Sequence, residues 1–192
     1  MKNVRRFLAC LALAAALPAS AMGQGDDDIF AHQINKQTAG NWSVRPDRPR
    51  PQTVSSDNPQ FNQALRIHVA RATANSWDVQ ASSPTGAAIK TGDVVLVVFF
   101  ARAQQPAEGG SVLPASIQLA AAPYTTLMNV ERRITGDWAQ YCFSGVAGID
   151  LPAQANVNVN LGQAAQTVDL GPVLVFDFGP DFDQHRLPNC NQ

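Results

Sequence analysis

Helical periodicity, catalytic signatures and strong charge are all scarce in this 192-residue sequence, and each gap closes off a class of protein. The three histidines, His32, His68 and His185, form no HExxH and stand beside no pair spaced for a metal ion. There is no GxSxG elbow, no P-loop and no CxxC, so hydrolase, nucleotide-binding and dithiol chemistries lose their usual carriers. Glycoside hydrolysis needs two carboxyls facing a cleft. The chain has 15 acids, but Asp26 to Asp28 fall in a polar leader, Asp93 and Asp137 at strand starts, and Asp181 and Asp183 in the tail. Glu131 and Asp169 remain. The chain is expected not to be an enzyme.

Long apolar runs are also few. Phe7 to Leu17 is too short to span a bilayer, which takes about 20 apolar residues. It follows the basic Lys2, Arg5 and Arg6 and precedes Ala19-Ser20-Ala21, the small-x-small pattern of a cleaved signal peptide. Residues 1–21 are therefore expected to be removed, with export to the periplasm or the extracellular space and no membrane attachment afterwards. Removal takes three basic residues and no acid. The balance moves from 14 against 15 to 11 against 15, a net charge of −4. Such a chain does not suit nucleic acid or anionic lipid as a long-range electrostatic partner. Two cysteines survive, Cys142 and Cys190. In an oxidising compartment they can close one disulfide, or Cys142 can be a small buried residue and Cys190 a free one.

What is present reads as β-structure. ALRIHVARA (64–72) places Leu65, Ile67 and Val69 on one face. SWDVQAS (76–82), DVVLVVFFARA (93–103), SIQLAAA (116–122) and MNVERRIT (128–135) follow. WAQYCFSGV (138–146), ANVNVNLG (155–162) and QTVDLGPVLVFDFG (166–179) complete the strong candidates. DIFAHQI (28–34) and NWSV (41–44) are weaker. The stretch 45–60, with prolines at 46, 49, 51 and 59, reads as a loop, and the tail from Gly179 reads the same way. Short strands at near-regular spacing with Gly and Pro between them indicate a sandwich or barrel. Val94 to Phe100 is apolar at every position, which requires cover on both faces.

Candidate binding residues follow from polarity and aromatic position. ANVNVNL sets Val157, Val159 and Leu161 toward a core and Asn156, Asn158 and Asn160 on the other face. Asn is depleted in strands. The row is either a solvated surface or a set of amides offered to hydroxyls. Aromatic rings can stack on the apolar face of a sugar while amides and Arg take its hydroxyls. The Trp and Tyr residues are Trp42, Trp77, Trp138, Tyr124 and Tyr141. Trp138, just after a turn, reads as structural. Trp77 and Tyr124, near strand ends, read equally as platforms or as core. Glu131, Arg132 and Arg133 read as a solvated strand edge.

KTGDVVLVVFFARA, GDWAQYCF and NLGQAAQTVDLGPVLVFDFG, in that order, resemble the CenC-type carbohydrate-binding modules, and within them the xylan-binding modules found beside bacterial xylanases. The resemblance spans roughly residues 40–178. It implies an all-β jelly-roll sandwich of the galactose-binding-like kind with a sugar groove on its concave face. Mapped onto this sequence, it implies that Trp77 and Arg102 line or border the groove. Gln118 and Tyr124 would supply another wall, and Asn158 and Asn160 a polar face. Two departures stand out. Phe100 occupies a position where relatives often carry Trp. Gly171-Pro172 replaces acidic residues that help many relatives hold a structural calcium. No cofactor is therefore expected, although Asp169 or the leader aspartates would be the contributors if calcium were held.

The resulting organisation is a signal peptide at 1–21, a partly disordered leader at 22–39, a carbohydrate-binding sandwich at 40–179 and a flexible tail at 180–192. The expected function is non-catalytic recognition of a xylan-like or β-glucan-like polysaccharide by a monomer. The alternative is an envelope interaction protein with the same fold and no sugar binding, in which Trp77 could be buried. A small glycan-active enzyme would instead need two carboxyls converging on the groove.

Overall fold

The computed structural model describes residues 29–35, 41–46, 50–104 and 110–190; the expected signal peptide lies outside them. Ten strands form two five-stranded sheets, and every pairing is antiparallel. The first sheet orders β1 (Ser43–Arg45), β4 (Gln80–Pro84), β9 (Ala155–Asn160), β6 (Ser111–Leu119) and β7 (Thr126–Ile134). The second orders β2 (Gln52–Ser55), β3 (Gln63–Val69), β10 (Gln166–Asp177), β5 (Val94–Gln104) and β8 (Ala139–Val146). This is the expected jelly-roll sandwich.

Alternation decides which side chains fill the space between the sheets. Val157 and Val159 of β9 turn inward, as do Leu113, Ala115 and Ile117 of β6, to meet Val95, Val97 and Phe99 of β5. Each such side chain, fully withdrawn from water, contributes about 1.5–3 kcal/mol. The other face of β5 explains its unbroken apolar run. Leu96, Val98 and Phe100 join Leu174 and Phe176 of β10 in a second cluster on the outside of the sheet. Phe61, Trp138, Phe178, Leu187 and the disulfide-bonded Cys142 and Cys190 pack over it.

That covering layer corrects several expectations. Residues 180–190 are not a free tail: a 3-10 turn at Gln184–Arg186 leads to Cys190, which is joined to Cys142. Arg132 does not sit on a solvated edge. Its guanidinium donates to the carbonyls of Cys142, at 3.0 and 2.8 Å, and of Cys190, at 2.5 Å, clamping the two ends of that link. The leader residues Ile29–His32 form a 3-10 turn, and Gln33 then bridges to Phe176. The proline-rich stretch 45–60 contains the edge strand β2, which pairs only with β3. Prolines at 51 and 59 flank it and leave its ladder intact, as an edge position allows. Among the described residues no helix is long and apolar enough to cross a membrane.

A candidate carbohydrate cleft on the first sheet

Where β4, β9 and β6 run side by side, most of their outward residues are polar. Ser43, Ser82, Asn158, Ser116 and Asn129 lie opposite one another across all five strands of the first sheet. One step along, Arg45 faces Gln80 and Gln80 faces Asn160. These groups are tied to each other rather than simply solvated. The Ser82 hydroxyl donates to Asn158 Oδ1 at 2.6 Å and lies 3.2 Å from Gln80 Oε1. Gln80 Nε2 donates to Asn160 Oδ1 at 2.9 Å. Cross-strand bonds of this kind fix the amides in orientation and lower the cost of ordering them around a ligand.

A cleft of about 450 Å³ opens on this face, lined by Arg45, Trp77, Gln80, Gln118, Tyr124 and Asn160. Its two aromatic rings are 61% and 54% exposed, for Trp77 and Tyr124 respectively, although both are large enough to dominate a core. Each is held out by its local backbone. Trp77 sits in a 3-10 turn, Ser76–Asp78, and not on a strand as SWDVQAS suggests. Asp78 closes that turn by accepting from the Asn75 backbone N–H at 2.9 Å. Gly162 docks it: its N–H donates to Ser76 O at 2.8 Å and its carbonyl accepts from Thr73 N–H at 2.7 Å. A Cβ at Gly162 would collide with Thr73 Oγ1 and with the Asn75 and Ser76 carbonyls, so the close approach requires glycine. Tyr124, in the turn between β6 and β7, has φ +54°, left-handed backbone that a bulky residue adopts at a cost. Such strain persists where surrounding structure enforces it, and it clusters at binding sites.

Trp77, Gln118, Tyr124 and Asn160 thus come together in one cleft. Asn158 lies beside them in the same amide row but is buried at 2% exposure under its Ser82 bond, so it supports the wall. Arg102 does not join them. It is on β5 of the second sheet, directly opposite Asp169. Its Nε donates to Asp169 at 3.0 Å, its Nη1 to Asp57 at 2.9 Å, and its guanidinium lies 4.8 Å from the centre of the Trp138 ring. Register, not distance along the chain, separates it from the cleft. Sequence reasoning missed Arg45 and Gln80. The alternation of Asn41-Trp42-Ser43-Val44-Arg45 carried the signal for Arg45, because Trp42 turns inward and its Nε1 donates to Gly171 O at 2.7 Å.

Asp169, a candidate calcium ligand, is otherwise engaged. It is fully buried and accepts from Arg66 at 2.7 and 2.8 Å, from Arg102, and from Gln104 at 2.9 Å. Burial pushes its carboxyl up, but the bonds and charges of Arg66 and Arg102 outweigh that and hold it below the ordinary carboxylate range. Four donors already saturate it, so a calcium ion does not fit there. Among the described residues no three His, Cys, Asp or Glu side chains are grouped to hold a metal. The leader aspartates lie outside those residues. A larger cleft of about 630 Å³ runs between β7 and the tail. Its one Phe, Trp or Tyr among the described residues, Phe143, is buried, so it offers no exposed ring of those types.

No family model and no curated protein matches this sequence. Solved structures do. The fold is similar to the N-terminal cellulose-binding domain of Cellulomonas fimi β-1,4-glucanase C. The TM-score is 0.57 at 18% identity, over 75% of this chain and 95% of that one. A family 4 carbohydrate-binding module aligns with TM-score 0.53 at 17% identity, covering 72% of this chain and 95% of the module. The CBM22-1 xylan-binding domain of Paenibacillus barcinonensis Xyn10C aligns with TM-score 0.50 at 11% identity, covering 77% and 92%. The chain therefore has the jelly-roll architecture of carbohydrate-binding modules.

Proposed function

We propose that this protein, after export, binds a polysaccharide in the cleft between Trp77 and Tyr124 and does not cleave it. The observation that carries the reading is a pair of exposed rings flanking prearranged amides on one sheet face. Rings of this kind stack on the C–H faces of sugar units, while Gln80, Gln118 and Asn160 reach the hydroxyls. Among the described residues no carboxyl lines the cleft, and glycoside hydrolysis by the usual route needs two. The cellulose- and xylan-binding domains that share the fold set the kind of ligand to try first. Stacking contributes about 1 kcal/mol per ring, so affinity falls between tens of micromolar and millimolar. The alternative, the same fold without sugar binding, gains nothing from holding Trp77 exposed.

The test is tryptophan fluorescence of the mature protein titrated with soluble xylan, β-glucan and mannan, beside Trp77→Ala. A saturable blue shift with one polymer, about fivefold or more weaker in the variant, is the expected result. A cooperatively folded protein that answers none of the three, nor an acidic polymer, would sink the reading.

A further inference from the structure

We propose that the cleft selects a polysaccharide bearing carboxylates, with a uronic-acid carboxyl seated at Arg45 beside Gln80 and Asn160. The inference rests on the sugar-binding reading and narrows its substrate class. Two independent features support it, one of charge and one of hydrogen-bond polarity.

Among the described residues, Arg45 is the only charged one that lines the cleft. It is exposed on the edge strand β1, and among the described residues it has no carboxylate partner. The contrast with Arg102 and Arg66, both engaged by Asp169, is direct. The acid nearest Trp77 in sequence, Asp78, points its carboxylate back to the Asn75 N–H. A planar guanidinium offers five N–H donors in a fork that matches a carboxylate.

The amides repeat the bias. Asn160 Oδ1 already accepts from Gln80 at 2.9 Å and Gln118 Oε1 from Ser116 at 3.4 Å, while the single proton of the Ser82 hydroxyl goes to Asn158 Oδ1. Two of the three amide oxygens in the cleft thus already carry a protein bond. The Nδ2 of Asn160 and the Nε2 of Gln118 have no protein acceptor among the described residues. A ligand entering the cleft therefore meets a surplus of donors. Neutral sugar hydroxyls both give and take protons, whereas a carboxylate only accepts. The preference is local, since the mature chain carries a net charge of −4 and does not attract polyanions as a whole.

Isothermal titration with matched polymers tests this. Glucuronoxylan and polygalacturonate are each compared with the same material after its carboxyls are reduced to alcohols, for the wild type and for Arg45→Gln. Near-UV circular dichroism confirms that the variant is folded, as expected for an exposed edge position. The inference predicts that one acidic polymer binds about five- to tenfold more tightly than its reduced form. It also predicts that this ratio falls toward one in Arg45→Gln and shrinks between 20 and about 500 mM salt. Equal binding of acidic and reduced forms by the wild type overturns the inference and leaves the sugar-binding reading standing. So does a preference that survives in Arg45→Gln. Failure of every polymer, neutral ones included, removes both.

Discussion

The two sheets carry the same components on their outer faces and put them to opposite uses. On the second sheet an arginine, a tryptophan and an aspartate lock together: Arg102 stacks on Trp138, Trp138 Nε1 donates to Asp57 at 2.8 Å, and Phe61 meets the indole edge-on with ring centres 5.0 Å apart. On the first sheet Arg45 and Trp77 share a cleft that no acid among the described residues lines. One set has its charges paired and its rings packed against each other and the outer apolar cluster, so it stabilises the fold. The other keeps its rings in water and, among the described residues, gives its guanidinium no carboxylate partner, which costs stability and suits a ligand. An aromatic beside an arginine says little alone. A carboxylate stands in register opposite Arg102 and an amide opposite Arg45, and that difference separates the two.

The contrast is broken most severely by Asp169→Asn. The substitution leaves Arg66 and Arg102 facing a neutral amide in a half-dry setting, and a loss of about 3 kcal/mol is expected in urea denaturation. The wild-type contribution is pH-dependent. Because the folded-state carboxyl lies below its unfolded value of about 3.9, its stabilisation is complete above that pH. It is lost as pH falls through the lower folded value. Asp169→Asn should therefore lose stability at pH 6 and show a flatter acid limb between pH 5 and 2. An equally steep acid limb would assign acid unfolding to other carboxyls. The polymer titration of the first sheet should be unchanged wherever the variant is folded.

Cys190→Ser comes next. It opens a link across a sequence separation of 48 and frees the cover of Leu96, Val98 and Leu174. A loss of about 2–4 kcal/mol is expected, with increased binding of a hydrophobic dye and intact glycan binding. A variant that lost glycan affinity while folded would show the two faces to be coupled. Smallest in stability is Gly162→Ala, about 1–3 kcal/mol from overpacking against Thr73 and the Trp77 turn. Its use is diagnostic, since it displaces the Trp77 turn without removing a cleft side chain. Weaker polymer binding with the indole still present would show that placement of the ring matters.

Much of this was legible in the sequence because alternation is local. The inward and outward residues of β3 and β9 follow from period two, and the apolar run of β5 correctly demanded a second covering layer. Trp77, Tyr124 and Asn160 could be named from residue type and position along the strands, and Gln118 only through the resemblance. The choice of Arg102 over Arg45 could not be avoided in that way. It depends on Asp169 standing across from Arg102 on β10, 67 residues on, a register no local pattern contains. The strand β2 was hidden because edge strands tolerate the prolines that mark loops. The tail was read as flexible because its composition is polar, whereas a disulfide and the Arg132 clamp hold it.

The strand order has a consequence for biogenesis. The centre of the second sheet is β10, which is flanked by β3 and β5 yet follows every other strand in the chain. As the polypeptide emerges, β5, apolar on both faces, waits through the synthesis of about 60 further residues for its main partner. Pairing so distant is slow, and an unpaired strand with this composition is the kind that recruits other chains. The feature that gives the finished molecule its doubly covered core is thus also its chief aggregation hazard, concentrated in the interval before residue 177 is in place.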